Sequence, residues 1–218
     1  ASARVQVVGV HVQPRILALQ NIRFDEGELH DYIAALDLGD LFNQPMLRLL
    51  HQFEEATTFG SLIQPCLDEE NITFARDAIE AKDLGGKLFL GETHAKILQV
   101  LEQAEALTQR YHIVVANPPY MGSRAFTEIL KDFTSEHFPD VKHDLYSCFI
   151  VRALSLTVPS GYAGLVTMET WMFLSSFEEM RHRMLNDVSF QTLVHMPYEG
   201  RGRTSMGINF GTTAAVFR

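Results

Sequence analysis

Positive charge, cysteine and long apolar runs are all scarce in this sequence, and each scarcity excludes a class of protein. Lys and Arg number 18 against 27 Asp and Glu, a formal charge of −9, so the surface as a whole does not suit a polyanion. If the protein binds a nucleic acid, most of the binding surface is therefore expected to lie outside this chain. No apolar run approaches the roughly 18 residues of a membrane span, and no basic segment before an apolar core marks a signal peptide. With 46% hydrophobic residues over 218 positions, the chain is predicted to be globular, with no membrane partner.

Cysteine and histidine offer no framework for a disulfide or a metal site. Cys66 and Cys148 lie far apart and form no CxxC pair, which predicts reduced core cysteines and a cytoplasmic protein, with a disulfide as the alternative. The nine histidines show neither HxxxH nor Cys/His spacing, so no metal ion is predicted.

Short apolar runs alternate with helical patterns along the chain, which predicts a three-layer α/β sheet. Residues 23–90 are predicted to form a mostly helical insertion, and the apolar spacing of 92–109 predicts a helix with one face on the sheet. Ser176 and Glu179 resemble a capping box that opens a helix. The last two predicted strands have no helix between them and are candidates for antiparallel pairing. The predicted strands are 15–22, 112–116, 162–168, 190–196 and 212–217.

The stretch HIVVANPPYMGS, residues 112–123, combines a strand with a rigid exit from it. HIVVA is too short for a helix and mostly apolar, which predicts a central parallel strand buried on both faces. Asn117 comes next, at the carboxyl end of the strand, where α/β sheets bind ligands. The two prolines that follow have a fixed φ and no N–H. Asn117-Pro118-Pro119 is therefore predicted to form a stiff extended segment, here called the ledge, that offers hydrogen-bond acceptors and almost no donors.

The ledge is suited to holding a planar amino group. The side-chain oxygen of Asn117 and the carbonyl of Pro118 are placed to accept hydrogen bonds from the same nitrogen, and Tyr120 offers a flat face for stacking. Two acceptors on the N–H groups favour the tetrahedral geometry that frees the nitrogen lone pair. This arrangement suits methyl transfer to an exocyclic or amide nitrogen. The structural alternative is that Pro-Pro simply ends a strand.

Asn117-Pro118-Pro119-Tyr120 resembles the catalytic motif of S-adenosylmethionine-dependent amino methyltransferases, which allows Asp, Asn or Ser first and an aromatic residue last. Glutamine methyltransferases of release factors and some ribosomal RNA methyltransferases share it. Its surroundings, VVANPPYMGS, HDLYSCFIVRAL and GYAGLVTMETWMFLSSFEEMR, resemble the adenine-specific DNA methyltransferases of type IIG restriction enzymes, and among these the large methyltransferase of BREX phage-resistance systems. LALQNIRF, LGDLFNQP and EEATTFGSLIQP also look like that family's insertion, so the resemblance covers nearly the whole chain.

The resemblance implies a Rossmann-like, S-adenosylmethionine-dependent methyltransferase sheet and roles for four adjacent residues. Asn117, Pro118 and Tyr120 would be the ligands of the amino group and its base, and Pro119 their rigid support. The methyl acceptor would be N6 of an adenine flipped out of a duplex. DNA would then be a partner, together with other subunits of a restriction or phage-defence system.

Four residues outside the motif are further candidates. Gln20 and Asn21 end the predicted strand at 15–22, which the resemblance places near the cofactor adenine; plain polar residues at a strand end are the alternative. Arg201 and Arg203, in the loop EGRGRTSMG, are placed to contact a phosphate, with a solvated flexible loop as the alternative.

The sequence departs from the family pattern in its glycines. These enzymes hold the methionine part of the cofactor with a turn of the type FxGxG before the NPPY motif, whereas Gly85-Gly86 follows no predicted strand and GRG at 200–202 opens no helix. Residues 1–218 are therefore interpreted as a partial catalytic domain, incomplete on the N-terminal side of its sheet, lacking a target-recognition domain and inactive alone. In this scheme the catalytic strand and loop lie at 112–123 and the last strands within 190–217. The rival hypotheses are a methyltransferase of RNA or protein glutamine, and a non-catalytic binding piece that has lost its cofactor pocket.

Overall fold

A computed structural model describes residues 5–7, 10–12, 14–84, 88–198, 200 and 209–218. The chain divides into two compact units. The first comprises Ala1–Gly60 and Cys66–Ala106, and the second comprises Ser61–Pro65 and Leu107–Arg218. Within the described ranges, no helix combines the length and the apolar character needed to cross a bilayer.

The first unit is built mainly from helices. Side chains cap three of them: Asp25, Asn43 and Asp68 each accept a hydrogen bond from a backbone N–H in the first turn that follows. Several helices lie within residues 23–90, in agreement with the mostly helical character predicted there. The elements are β1 (Val5–Val7) paired antiparallel with β2 (Val10–Val12), α1 (Glu26–Ala35), α2 (Gln44–His51), α3 (Ala56–Phe59), α4 (Glu69–Glu80) and α5 (Leu88–Thr108).

Helix α5 carries the apolar stripe that the sequence predicted. Ile97 and Leu101 on this stripe are fully buried. The Tyr32 hydroxyl of α1 lies 2.8 Å from His94 Nδ1 of α5, and burial raises the pKa of Tyr32 to about 12. This contact joins α5 to α1 within the first unit, and the packing of one α5 face on the sheet stays a prediction.

The predicted strand at 15–22 is wrong. Residues 14–25 have no regular secondary structure, and Ile16 is 77% exposed. The N–H groups of Gln20 and Ile22 donate to the Gln103 side chain and to the Phe53 carbonyl, so they make no strand ladder. An apolar run carries strand propensity, but a strand forms only where a second strand satisfies its backbone groups.

The second unit is a four-stranded sheet in the order β3-β4-β6-β5, and this confirms the α/β class. β3 and β4 are parallel, whereas β6 pairs antiparallel with both β4 and β5, which confirms the predicted pairing of the last two strands. Helices lie between successive strands until β5. The elements are β3 (Tyr111–Ala116), α6 (Glu128–His137), α7 (Leu145–Leu156), β4 (Thr157–Met168), α8 (Glu178–Asp187), β5 (Phe190–Met196) and β6 (Thr212–Phe217).

Strand β3 forms as predicted, but its expected central, fully buried position is wrong. Within the described residues β3 pairs with β4 alone and lies at one edge of the sheet. Ile113 and Val115 are 67% and 79% exposed, while the alternate residues Val114 and Ala116 are half-buried. An apolar run of five residues predicts a strand, but it does not specify how many neighbours that strand has.

The predicted capping box is also wrong. Helix α8 begins at Glu178, and its N-cap is Phe177, which makes no side-chain capping bond. The preceding Ser175–Phe177 forms a 3-10 turn, which places Ser176 inside a turn, one residue before the cap. The pattern of Ser followed three residues later by Glu is therefore necessary for such a box but not sufficient.

One face of the sheet packs on α7, and a buried arginine fixes that helix. Arg152 is 6% exposed and donates to the carbonyls of Ser61, Ile63 and Leu107 at 2.8, 2.7 and 2.6 Å. Burial lowers the pKa of Arg152 to about 10. Three backbone acceptors thus compensate for the loss of water around a charged group and hold α7 to Ser61, Ile63 and the last turn of α5.

A glycine permits the close approach of β4 to β3. A Cβ on Gly161 would lie 2.8 Å from the carbonyl oxygen of His112 and 2.7 Å from Thr157 Cγ2. The register of the two strands shifts at this point, between Tyr111 and Ile113. The predicted turn at Pro159-Ser160-Gly161 is present as this irregularity in β4, and Ser160 has a φ of 65°.

We expect Gly161→Ala to destabilise the second unit by about 2 kcal/mol, because backbone atoms must move to admit the methyl group. Gly164→Ala is the matched control, since its Cβ would meet only Val216 Cγ2 at 4.0 Å. That change should be neutral, or stabilising by up to about 1 kcal/mol. The single tryptophan, Trp171, is buried in this unit, so urea unfolding followed by its fluorescence measures both. Equal losses for the two variants would contradict this account of Gly161.

Candidate active site

The motif lies at the carboxyl edge of the sheet. Asn117 is the first residue after β3, whose last residue, Ala116, is paired with Leu165 of the parallel strand β4. The side chain of Asn117 is exposed and Pro118 is buried. The strand therefore delivers the predicted ledge to the position where parallel sheets bind ligands.

Tyr120 is held in place by its hydroxyl group and its ring. The hydroxyl lies 3.1 Å from both Asn117 Oδ1 and the carbonyl oxygen of Val166, so its single proton is shared between two acceptors. The ring makes perpendicular contacts with Phe210 and Tyr146, at centroid distances of 5.4 and 6.4 Å. Burial raises the pKa of Tyr120, which keeps the hydroxyl protonated as a donor.

Two acceptors remain on the ledge for a ligand. Asn117 Oδ1 has a second lone pair beyond the one that faces Tyr120. Among the described residues, nothing donates to the Pro118 carbonyl, and neither Pro118 nor Pro119 has an N–H that would compete with it. The Tyr120 hydroxyl thus orients Asn117, and the roles of the four motif residues as ligands and support stay a prediction.

The loop after the ledge is tied to the start of α7. Leu145 N–H donates to the Met121 carbonyl at 2.9 Å, and Ser123 N–H donates to the His143 carbonyl at 3.0 Å. Between them, Asp144 caps α7 through the Tyr146 N–H, as predicted. Burial raises the pKa of the Asp144 carboxyl, although bonds from backbone N–H groups oppose this effect. A single helix terminus therefore positions the loop that carries Tyr120.

Three further residues at the same edge were missed by the sequence reasoning. Glu169 directly follows β4, and its N–H donates to the Gly211 carbonyl at 3.0 Å. Its carboxylate lies 2.5 Å from His195 Nε2 near the end of β5. A Cβ on Gly211 would overlap the Glu169 carboxylate, so the missing side chain makes room for this pair. Glu169 follows a parallel strand just as Asn117 does, and that position was the available signal.

The remaining candidates are not brought to the ledge by any described contact. Gln20 Oε1 accepts from Gln99, and Asn21 Oδ1 accepts from the N–H and the hydroxyl of Thr57 at 2.8 and 2.9 Å. These bonds tie the irregular segment 14–25 to helices α5 and α3, and the strand end that the alternative assumed is absent. A contact with cofactor stays a prediction. Arg201 and Arg203 lie outside the described residues.

We expect Gly211→Ala to act through Glu169. Its added methyl group would displace the Glu169 carboxylate from His195, at a cost of up to about 1 kcal/mol, because only the flexible end of a partly exposed side chain has to move. In a Glu169→Ala background the same change should cost less than about 0.5 kcal/mol, because the overlapping atoms are gone. Urea unfolding followed by Trp171 fluorescence completes this double-mutant cycle. The same cost in both backgrounds would mean that backbone atoms, and not Glu169, require glycine at 211.

Comparisons with known proteins agree on one family. Residues 43–201 match the family described as Eco57I restriction-modification methylase. Over 88% of this chain and 66% of the other, the structure is also similar to a Listeria monocytogenes protein described as a class I S-adenosylmethionine-dependent methyltransferase. That likeness, with a TM-score of 0.40 and 12% identity, is too slight to support the assignment by itself.

Two curated relatives match over most of this chain. The adenine-specific methyltransferase BrxX of Escherichia coli is 34% identical over 98% of the chain, and the adenine-specific methyltransferase PglX of Lacticaseibacillus casei is 32% identical over 72%. The chain spans only 19% of the first relative and 13% of the second. The match to BrxX and the family match over 43–201 cover the ledge and its supports, and the chain belongs to the Eco57I restriction-modification methylase family.

Proposed function

We propose that this chain is the part of a DNA methyltransferase that binds the amino group of a flipped adenine, to whose N6 a methyl group is transferred from S-adenosylmethionine. The observation that carries the proposal is the ledge itself, where Asn117 Oδ1 keeps a second lone pair beside Tyr120 and no described residue donates to the Pro118 carbonyl. Membership of a methylase family and two relatives described as adenine-specific methyltransferases support it.

The two acceptors address the difficulty of methylating an exocyclic amine. The N6 lone pair of adenine is delocalised into the ring, which makes the planar amine a poor nucleophile. Hydrogen bonds from its two N–H groups to Asn117 and Pro118 favour a tetrahedral nitrogen whose lone pair points away from both acceptors. That lone pair would form the new bond to the methyl carbon while the bond between this carbon and the donor sulfur breaks and leaves its electron pair on sulfur. One N–H proton is then released to water so that the product is neutral.

Tyr120 supplies both the stacking surface and the orientation of Asn117. A flipped base has lost its stacking neighbours in the duplex, and contact with an aromatic ring recovers about 1–3 kcal/mol. The Tyr120 hydroxyl contacts Asn117 Oδ1, so the stacking residue also fixes the acceptor. Binding of the base and alignment of its amine are thereby coupled in one side chain.

The described residues fit the methyl acceptor better than the donor. When bound, S-adenosylmethionine supplies an electrophilic methyl group on sulfur. No turn of the type FxGxG precedes the NPPY motif in this sequence, and the side-chain oxygens of Gln20 and Asn21 are already bonded within the helical unit. The part of the reaction proposed here for the described residues is to bind and orient the amine.

The partners follow from the same proposal. DNA is the substrate, and the net charge of −9 favours an arrangement in which other parts of the intact protein, or other subunits of a restriction or phage-defence system, provide most of the clamp. RNA and protein glutamine remain the rival substrates of the motif, since each presents an amino or amide nitrogen to the same acceptors.

We expect Asn117→Ala in the intact parent protein to lower single-turnover methyl transfer at least about 100-fold, because a preorganised polar group is lost from the reacting nitrogen. Asn117→Asp keeps an oxygen acceptor at the same position and should retain far more activity. The measurement is the transfer of a labelled methyl group from S-adenosylmethionine to duplex DNA. As a control, calorimetry should give the same affinity for S-adenosylmethionine in the variant as in wild type.

An Asn117→Ala variant as active as wild type would rule out the proposed role of the ledge. RNA and a glutamine-containing peptide should be assayed in parallel with DNA. Asn117-dependent transfer to either of them, with none to DNA, would reassign the substrate but preserve the ledge. If the wild-type parent transfers to none of the three, the non-catalytic hypothesis is favoured.

A further inference from the structure

A second cavity opens beside the loop that carries the ledge. It has a volume of about 230 Å³, and its lining includes Ser123, Lys131, Ser135, Lys142 and His143. None of its lining residues is acidic. In a protein with 27 acidic residues and 18 basic ones, a cavity with two lysines and no carboxylate is a local reversal of charge.

The two lysines differ in how they are neutralised. Lys131 Nζ lies 2.7 Å from Glu128 Oε1, so part of its charge is already compensated at the surface. Lys142 is half-buried, and within the described part of the chain its ammonium group has neither an ion-pair nor a hydrogen-bond partner. An anion in the cavity would supply a counter-charge to this ammonium group.

The cavity is joined to the ledge by backbone hydrogen bonds. Ser123 lies three residues after Tyr120, and its N–H donates to the carbonyl of His143, the neighbour of Lys142. The same short loop therefore carries the stacking residue at one end and a wall of the basic cavity at the other. An anion bound there would sit at a fixed position relative to the ledge.

We propose that this cavity binds a backbone phosphate of the DNA strand that carries the flipped nucleotide, with Lys142 as its main cation. A backbone phosphodiester offers two non-bridging acceptor oxygens to an ammonium group, hydroxyls and a ring N–H, and these are the groups that the lining supplies. A nucleotide rotated out of the duplex keeps its flanking phosphates close to the pocket that holds its base. This inference rests on the proposed function.

The role is one of positioning, and it makes a distinct prediction about salt. Each phosphate contact contributes about 0.9 to the slope of log affinity against log salt concentration. Lys142→Gln in the intact parent protein should reduce that slope by about this amount. Wild type should then gain about 3.5-fold more affinity for duplex DNA than the variant when salt is lowered from 200 to 50 mM.

The test compares three variants with wild type. Lys142→Gln removes the charge, Lys142→Arg restores it, and Lys96→Gln removes one charge from an exposed ion pair in the helical unit as a matched control. We expect the reduced slope for Lys142→Gln alone, together with a raised KM for DNA and an almost unchanged kcat. An unaltered slope and KM in Lys142→Gln, with methylation of DNA intact in wild type, would overturn the inference.

The remaining outcomes separate this inference from the proposal on which it rests. Failure of the wild-type parent to methylate DNA would overturn the proposed function, and this assay requires only the wild-type protein. A further outcome is that wild type binds inorganic phosphate, Lys142→Gln abolishes this binding, and the salt dependence of DNA affinity is unchanged. The cavity would then be a site for free phosphate, and only this inference would be overturned.

Discussion

The hydrogen bond from Tyr120 to the carbonyl of Val166 ties the ledge to the sheet, and the site depends on it. Pro118 and Pro119 have no N–H, so the ledge cannot extend the parallel pairing of β3 with β4 through its own backbone. It must be anchored from both ends, by β3 before it and by Tyr120 and the bonds at Met121 and Ser123 after it. The missing N–H groups of the two prolines leave the acceptors free for a substrate. The same absence makes anchoring by side chains necessary.

Helix α7 links this local constraint to the rest of the second unit. Hydrogen bonds of Asp144 and Leu145 attach the loop to the N-terminus of α7. In the second half of the helix, Arg152 donates hydrogen bonds to the carbonyls of Ser61, Ile63 and Leu107. The buried guanidinium has backbone acceptors and no carboxylate partner among the described residues, so losing any one acceptor would leave part of a charge uncompensated. The helix that positions the ledge is therefore itself fixed by an interaction that is costly to disturb.

The sequence predicted the ledge well because its rigidity is local: proline fixes φ, and a strand before it fixes direction. It failed where the outcome depends on distant partners. Residues 15–22 have the composition of a strand but no strand beside them, and Ile113 and Val115 are apolar yet exposed because no described element covers their face of β3. The pair formed by Glu169 and His195 was invisible for the same reason, since it depends on the antiparallel register that brings β5 and β6 to the edge.

The claim at the centre of this account is that Asn117 and Pro118 accept the amino group of adenine. Mapping N6-methyladenine by long-read sequencing, in cells with the intact parent system and in cells with its Asn117→Ala variant, tests it most directly. We expect N6-methyladenine at one short DNA sequence in cells with the intact system, and its disappearance in cells with the variant. A mark that persists in the Asn117→Ala strain would contradict it.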